Sequence, residues 1–281
     1  MATSRSNRSM TSIALPGLVN PHDLADDRQF SMNLARGLEV LRAFTATEPT
    51  LGNREIADRT GLPKPTVSRL TYTLTLLGYL AREPGLQKYR LGSGVLSLSH
   101  PLLASLHVRQ VARPLMEQLA RKTGCTVNLG MRDRGDVVYI DTVRADMANQ
   151  HLPDIGSTRP LLASSVGRAL ILACRLPEQT AILNYLKVRD GALYETHRAA
   201  WEADKKLFKE HGFCHSRGDW RKDVHAVAVP VRLPHREQPV AINCTLAAYR
   251  TPKDKLAHEV APLLLDTVHQ LESAQGLRST N

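Results

Sequence analysis

The most constraining feature of this chain is a stretch of about 65 residues, from residue 30 to residue 92, in which short helical patterns are separated by tight turns. Apolar residues at helical spacing predict a first helix. Its apolar face is Leu34, Leu38, Leu41 and Phe44. A shorter second helix follows, for which Asn53 is the predicted N-cap. A tight turn is predicted at residues 60–63, directly after the second helix.

A third helix is predicted after that turn. It begins near Lys64, because Pro65 suits a position in the first helical turn, and it ends at Gly78. Its predicted apolar stripe is Val67, Leu70, Leu74 and Leu77. Two short strands follow at 79–82 and 88–91, joined by a Pro-Gly turn. Helix, short helix, turn, helix and hairpin is the order of elements in a winged helix-turn-helix.

The rest of the chain predicts an α+β domain with an antiparallel sheet. A connecting helix at 93–108 and an amphipathic helix at 109–123 precede a hairpin whose strands lie at 126–131 and 137–142. Three helices follow at 165–175, 178–187 and 197–211. Strands are predicted at 213–216, 224–232 and 239–248, and a closing helix at 253–274. Strand pairs with flanking helices favour this class over a parallel α/β sheet.

These patterns divide the chain into four parts. We expect a disordered tail at 1–29, a winged helix-turn-helix domain at 30–93, a linker helix at 94–108 and a second domain at 109–275. The tail is rich in polar residues and has no periodicity.

Composition narrows the class of protein further. The formal net charge of +10 favours a polyanionic partner. No apolar run approaches the roughly 20 residues that a membrane span needs. The four cysteines, Cys125, Cys174, Cys214 and Cys244, form no CxxC pair, which is typical of reduced thiols in a cytoplasmic protein. We therefore expect a cytoplasmic protein with no membrane association.

The third helix carries the candidate DNA-binding residues. Its polar side holds short polar groups and cations, which are the types that contact base edges and phosphates. The candidates are Lys64, Thr66, Ser68, Arg69 and Tyr72 on this helix, with Arg82, Lys88 and Arg90 in the hairpin. Residues 64–94 contain five Lys and Arg and one acidic residue, so the positive charge is concentrated on this segment. An ordinary surface helix also has a polar back, and only the combined arrangement favours DNA binding.

The segment from Arg54 to Gly92 resembles the IclR family of bacterial transcription regulators, and Leu34–Phe44 resembles a branch associated with aromatic-acid catabolism. The resemblance continues at 135–143, 158–173, 211–213 and 226–231, so that it covers about residues 30–275. It implies a winged helix joined by a linker helix to a GAF-like effector-binding domain. It also implies a homodimer or homotetramer.

The resemblance further implies an effector pocket in the second domain. The residues it places near the ligand are Ala163, Ser165, Gly167, Ser216, Asp219, Ala226, Asn243 and Thr245. The chain departs from the usual family pattern at residues 162–165 and 216–220, and at Asn243 and Thr245, where serines are common. These departures weaken any transfer of effector identity. Independently, backbone N–H groups at a helix start near Ser165 favour an anionic ligand such as a carboxylate.

Two other classes of function remain open from the residues alone. Residues 163–167, Ala-Ser-Ser-Val-Gly, resemble a degenerate nucleophile elbow, so a serine hydrolase would use Ser165 with Asp219 and either His225 or His235. No alternating strand–helix series builds the parallel sheet that such an elbow requires. A metal-responsive regulator would use His211, Cys214, His215 and His225, although their spacing matches no common zinc site.

The sequence therefore predicts a ligand-responsive transcription regulator without enzymatic activity or cofactor. We expect it to control a catabolic operon. Its expected partners are a double-stranded DNA operator, a small organic or aromatic acid and further copies of the chain, because one winged helix covers too few base pairs for operator specificity.

Overall fold

A computed structural model describes residues 17–19, 21–24, 26–145, 154–233, 238–250 and 255–276, apart from the side chains of residues 22 and 250. The chain divides into two compact units, one of Val19–Leu106 and one of Met1–Leu18 with His107–Asn281. Within the predicted tail, Pro21–Leu24 forms a 3-10 helix, and residues 1–16 lie outside the description. No described helix combines the length and the apolarity needed to cross a membrane.

The smaller unit contains four α-helices and a three-stranded sheet in its described part. The helices are α1 (Met32–Arg42), α2 (Asn53–Thr60), α3 (Lys64–Leu76) and α4 (Ser93–Ser105). The strands are β1 (Leu51–Gly52), β2 (Leu80–Arg82) and β3 (Lys88–Leu91), in the order β1-β3-β2. Its core is formed by apolar residues from every helix except α4, together with Leu51 and Leu80. This is the predicted winged helix-turn-helix, with β2 and β3 as its wing.

Two local predictions in this unit were wrong. Asn53 is the first residue of α2 rather than its N-cap, which is Gly52. The Gly52 N–H donates to the Glu55 carboxylate at 2.6 Å, so the acid at the third helical position satisfies the helix start. Leu77, which was predicted in the apolar stripe of this helix, is 62% exposed because α3 ends at Leu76.

The turn between α2 and α3 depends on a glycine. Gly61 follows the last residue of α2 with φ +68°, a left-handed conformation that side chains with a Cβ rarely adopt. Pro63 then precedes α3, and Pro65 lies in the first turn of that helix as predicted. The turn thus fixes the angle at which α3 leaves α2.

The predicted linker helix is shorter in the structure. The helix α4 ends at Ser105, because Leu106 has a non-helical ψ of 87°. The next helix, α5 (His107–Thr123), belongs to the larger unit. Pro101 lies within α4, whose residues are all exposed or half-buried within the unit.

The larger unit is built on a six-stranded sheet. Its strands are β4 (Thr126–Asp133), β5 (Asp136–Val143), β6 (Thr158–Pro160), β7 (Cys214–Arg217), β8 (Val224–Val231) and β9 (Val240–Ala247). The order is β6-β5-β4-β9-β8-β7, and every pair is antiparallel. The remaining helices are α6 (Ser165–Leu172), α7 (Leu176–Arg189), α8 (Gly191–His211) and α9 (Ala261–Ala274), which a π-helical turn, Leu256–Val260, precedes. The predicted α+β class is confirmed.

The helices cover the two faces of this sheet. The helix α6 packs on one face through Val166, Ala169 and Leu170, in a core that includes Ala228 and Ala241. The helices α5 and α9 pack against each other and on the opposite face. Alternate residues of each central strand therefore point toward α6 or toward α5 and α9.

A cluster of ion pairs around one buried carboxylate fixes α5 to the sheet. The Asp141 carboxylate, 1% exposed, accepts from Arg113 Nη1 at 2.7 Å and lies 3.4 Å from Arg109 Nε. It also accepts from the backbone N–H of Thr142 at 2.8 Å. Two successive turns of α5 are thereby held to one point on β5.

Candidate DNA-binding surface and effector pocket

The polar side of α3 is accessible along its length. Lys64, Ser68, Arg69 and Tyr72 are exposed, and Thr66 is half-buried. The opposite side holds the buried residues Val67, Thr71 and Leu74. Because α3 presents these polar groups on a rigid element, its dimensions and chemistry suit insertion into a DNA major groove.

The candidate cations fall into two groups. Lys64, Arg69 and Arg82 form no ion pair with another described residue. By contrast, Lys88 Nζ lies 2.9 Å from Glu55 Oε1, and Arg90 Nε lies 3.2 Å from Glu83 Oε2. The charges on α3 and β2 are thus available to phosphate or bases, whereas those on β3 already have carboxylate partners.

A buried hydroxyl fixes α3 against α2. The Thr71 Oγ1 lies 3.0 Å from the Val67 carbonyl oxygen and 3.1 Å from the Asn53 Oδ1, and it is 0% exposed. Thr71 therefore helps to hold α3 against α2, a role that the sequence did not indicate.

The sheet register brings four of the predicted effector residues together. Ser216 pairs with Ala226, and Ala226 pairs with Thr245, which places them in one row across β7, β8 and β9. Asn243 lies two residues before Thr245 on the same face, opposite Asn128 of β4. Ala241, on this face as well, belongs to the core that contains α6. These residues therefore face α6, as an effector pocket beneath that helix requires.

The start of α6 lies at the predicted position. The Ser164 side chain is the N-cap and accepts from the Gly167 N–H at 3.2 Å. The neighbouring Ser165 Oγ is buried and has no hydrogen-bond partner in the described structure. Gly167 packs against Leu161 so closely that a Cβ would lie 2.1 Å from the Leu161 carbonyl oxygen. The structure thus gives Gly167 a packing role, and Ala163 is fully buried beside it.

Asp219 is held by a buried arginine that sequence reasoning missed. Arg168, 0% exposed, donates from Nη2 to Asp219 Oδ2 at 2.8 Å and from Nε to Asp204 Oδ2 at 2.6 Å. Its remaining bonds go to the carbonyl oxygens of Leu162 and His215. Burial lowers the pKa of Arg168, but Asp204 and Asp219 outweigh it and hold that pKa above its usual value.

Two further polar residues on the α6 side, Thr126 and Asn128, were also missed. Asn128 is 0% exposed, and its Oδ1 accepts from Thr142 Oγ1 at 3.2 Å. The signal in the sequence was the period-two repeat of Thr126 and Asn128 in an apolar strand.

The geometry does not favour the metal or the hydrolase alternative. In the described ranges, no group of three or more His, Cys, Asp and Glu side chains is placed to hold a metal ion. His211 is exposed at the end of α8, while Cys214 is buried and burial lowers the pKa of His215 to about 4. The strand before Ser165 pairs antiparallel with β5, unlike the parallel sheet of a nucleophile elbow. His235 lies outside the described residues.

A cavity of about 1460 Å³ lies elsewhere in the larger unit. It is bordered by the end of α6, the start of α7 and α9, with Arg175, Val231 and His269 among its lining residues. None of the eight predicted effector residues is among the described residues that line it. The start of α6 and this cavity are thus separate places where a ligand can be tested.

Comparison with known proteins finds a matching family model for each of the two parts of the chain. The IclR helix-turn-helix domain model matches residues 33–84, and the model of the bacterial transcriptional regulator IclR C-terminal domain matches residues 100–273. The chain belongs to the IclR family of bacterial transcriptional regulators. It is thus a DNA-binding regulator, and the matched ranges include α3 and the sheet beneath α6.

Individual IclR-family relatives span nearly the whole chain. The HTH-type transcriptional regulator TsaQ1/TsaQ2 of Comamonas testosteroni is 30% identical over 243 residues, covering 86% of this chain and 87% of the relative. The solved IclR family regulator of Brucella abortus is 44% identical, with a TM-score of 0.81 over 88% of this chain and 94% of that one. An IclR homologue of Microbacterium hydrocarbonoxydans, solved with 4-hydroxybenzoate, is 22% identical, with a TM-score of 0.66 over 88% of this chain and all of that one.

Proposed function

We propose that this IclR-family regulator controls a catabolic operon and that a small organic acid, bound beneath α6, changes its affinity for DNA. The protein acts as a homodimer or dimer of dimers, has no enzymatic activity and reads its operator with α3. The observation that carries the proposal is the row of Ser216, Ala226 and Thr245, with Asn243 beside it, on the face of the sheet that α6 covers.

The chemistry of this place supports an acidic effector. The N-terminus of α6 supplies backbone N–H groups and the positive end of a helix dipole, and Ser165 adds a buried hydroxyl without a partner. Asp219 pairs with Arg168 and is not a free carboxylate, although Arg168 is shared with Asp204, so the attraction for an anion comes from the start of α6. The 4-hydroxybenzoate complex of a distant relative supports an aromatic acid as the first probe.

The homodimer is supported by exposed leucines on the smaller unit. Leu34 and Leu38 on α1 are 65% and 50% exposed, and Leu96, Leu98 and Leu102 on α4 are 72%, 62% and 52% exposed. Large apolar patches on a soluble protein mark interaction sites. A second copy of the chain is the partner whose symmetry matches a pseudo-palindromic operator.

The effector proposal is tested by thermal shift of the full chain with a panel of carboxylic acids that includes 4-hydroxybenzoate. We expect the double variant Asn243→Leu/Thr245→Val to lose the shift and the effect of the acid on DNA affinity. The matched control is His269→Ala in the separate cavity, which should keep both. Loss of the shift in the control alone would place the effector in that cavity and refute the proposed pocket.

The dimer is tested by light scattering on the variant Leu96→Glu/Leu102→Glu. We expect a smaller mass than that of the wild-type protein and weaker binding to DNA selected by the wild-type protein from a random pool. An unchanged mass would show that these leucines lie outside the interface between copies.

A further inference from the structure

Two polar atoms without partners belong to residues that lie opposite each other on the central strands β4 and β9 of the six-stranded sheet. They are the Nδ2 of Asn128 and the Oδ1 of Asn243, and both are buried without a hydrogen-bond partner in the described structure. The two residues are 0% and 2% exposed and directly opposite each other on β4 and β9. Buried polar groups are nearly always paired in native proteins, so this pair marks a place where a partner binds.

The other halves of both amides are already engaged, which fixes their orientation. The Asn128 Oδ1 accepts from the Thr142 hydroxyl at 3.2 Å, so its amide nitrogen is the half that remains. Burial raises the pKa of Tyr139, and the Asn243 side chain opposes that rise as a hydrogen-bond donor, which assigns its amide nitrogen to Tyr139 and leaves its Oδ1 as the half without a partner. One donor and one acceptor are therefore left on neighbouring strands, whose opposed Cβ atoms lie about 5 Å apart.

One free donor on Asn128 and one free acceptor on Asn243 determine which chemical group can bind between the two amides. A carboxylate offers no proton to Asn243, and an ammonium group offers no lone pair to Asn128. A hydroxyl has both, because its O–H donates to the Asn243 Oδ1 while its oxygen accepts from the Asn128 Nδ2. Ala228, the neighbour of Asn243 on β8, is too short to fill the place itself.

We propose that Asn128 and Asn243 hold a hydroxyl group of the effector, which makes the effector a hydroxy acid and Asn128 a specificity-determining residue. The inference rests on the proposed function, because it assumes that the acid binds beneath α6. It adds a residue that the family resemblance did not supply, and it divides the ligand into two parts. The carboxylate lies at the start of α6, and the hydroxyl lies over β4 and β9.

The test compares acids that differ only in the hydroxyl. Dissociation constants of the full chain are measured by calorimetry for 4-hydroxybenzoate against benzoate and for lactate against propionate. We expect the wild-type protein to prefer the hydroxy acid of at least one pair by about tenfold, the effect of one or two net hydrogen bonds. In Asn128→Leu we expect that preference to fall to within about twofold of unity.

The ratio of the two constants separates ligand recognition from a structural role. If the amides merely hold a water, Asn128→Leu changes stability but leaves the ratio as it is, and the inference is overturned. Thr267→Val is the matched control, because it also replaces a buried polar side chain and lies on α9; it should keep the wild-type ratio. Asn128→Ser provides a second variant if Asn128→Leu does not fold, and it should also lower the ratio.

The remaining outcomes distinguish this inference from the proposed function. If Asn243→Leu/Thr245→Val abolishes binding while Asn128→Leu keeps the tenfold preference, the pocket stands and the role of Asn128 is refuted. If the wild-type protein binds the deoxy acids as tightly as the hydroxy acids, the hydroxyl assignment is wrong. If none of the four acids binds, both proposals fall.

Discussion

Replacing Arg168 with methionine should destabilise the larger unit more than replacing an exposed arginine with methionine. The substitution removes two bonds to carboxylates and two to backbone carbonyls, and it leaves Asp204, 3% exposed, as a buried charge without its partner. Breaking a buried pair from one side costs about 3–5 kcal/mol. The Asp219 contact adds little to this figure, because that side chain is 23% exposed and solvent screens it.

The loss should also depend on pH. Burial already raises the pKa of Asp204, and removing Arg168 deletes the largest interactions that oppose this while leaving the His215 N–H, so that the pKa rises further in the variant. A carboxyl whose pKa is higher in the folded than in the unfolded state binds protons preferentially when folded. The cost of the substitution is therefore largest at neutral pH and decreases as the pH falls through the raised pKa.

Urea unfolding followed by tryptophan fluorescence measures this cost in the full chain. Both tryptophans, Trp201 and Trp220, lie in the larger unit, so the signal reports that unit alone. The control is Arg175→Met, whose side chain is 80% exposed and pairs with Glu178, and which should change the free energy of unfolding by less than about 0.5 kcal/mol. A cost below about 1 kcal/mol for Arg168→Met, or a cost that grows between about pH 7.5 and about pH 5.5, would refute the reasoning.

Three further substitutions test other parts of the molecule. Arg69→Ala should reduce discrimination at one base pair by about 1–3 kcal/mol, whereas a uniform loss over all DNA sequences would make Arg69 a phosphate contact; competition binding with single-base variants of the selected DNA decides this. Gly167→Ala should cost about 3 kcal/mol of unfolding free energy, because the new Cβ would lie 2.1 Å from a carbonyl oxygen; an unchanged urea midpoint would contradict that packing. Thr71→Val should lower the stability of the smaller unit by about 1 kcal/mol, because the hydrogen bond to Asn53 is lost. The change is measured by circular dichroism during thermal unfolding. Thr73→Val, on the exposed side of α3, is the control.

Local patterns were enough to predict most of the helices and strands. The third helix begins at Lys64 as expected, because a proline in the first turn and a glycine after the end are signals within a few residues of each other. The error at Leu77 arose where the helix stops, since periodicity does not show which turn is the last. The strand β1 has only two residues and forms through its pairing with β3, so no local pattern precedes it.

The site was less predictable because its contacts are distant in the sequence. Asn243 and Thr245 were found as a period-two pair, but Asn128 joins them only through a sheet order that places β4 beside β9. Arg168 reaches Asp204 and Asp219 across 36 and 51 residues, and its place in an apolar helix gave no sign of either partner. Such pairings depend on tertiary packing, which local propensity does not contain.

The strand β5 has a geometric consequence for communication within the larger unit. Neighbouring residues of a strand point to opposite faces, so Thr142 touches Asn128 on the α6 side while Asp141 holds Arg109 and Arg113 on the α5 side. The two sides of the sheet are thus one peptide bond apart at this point. The contact to Asn128 and the contacts to Arg109 and Arg113 are therefore attached to adjacent residues, and the helix that carries the two arginines begins at His107, two residues after α4 ends at Ser105. Asn128 on one side of the sheet and the helix α5 on the other are thus separated at this point by the thickness of a single strand.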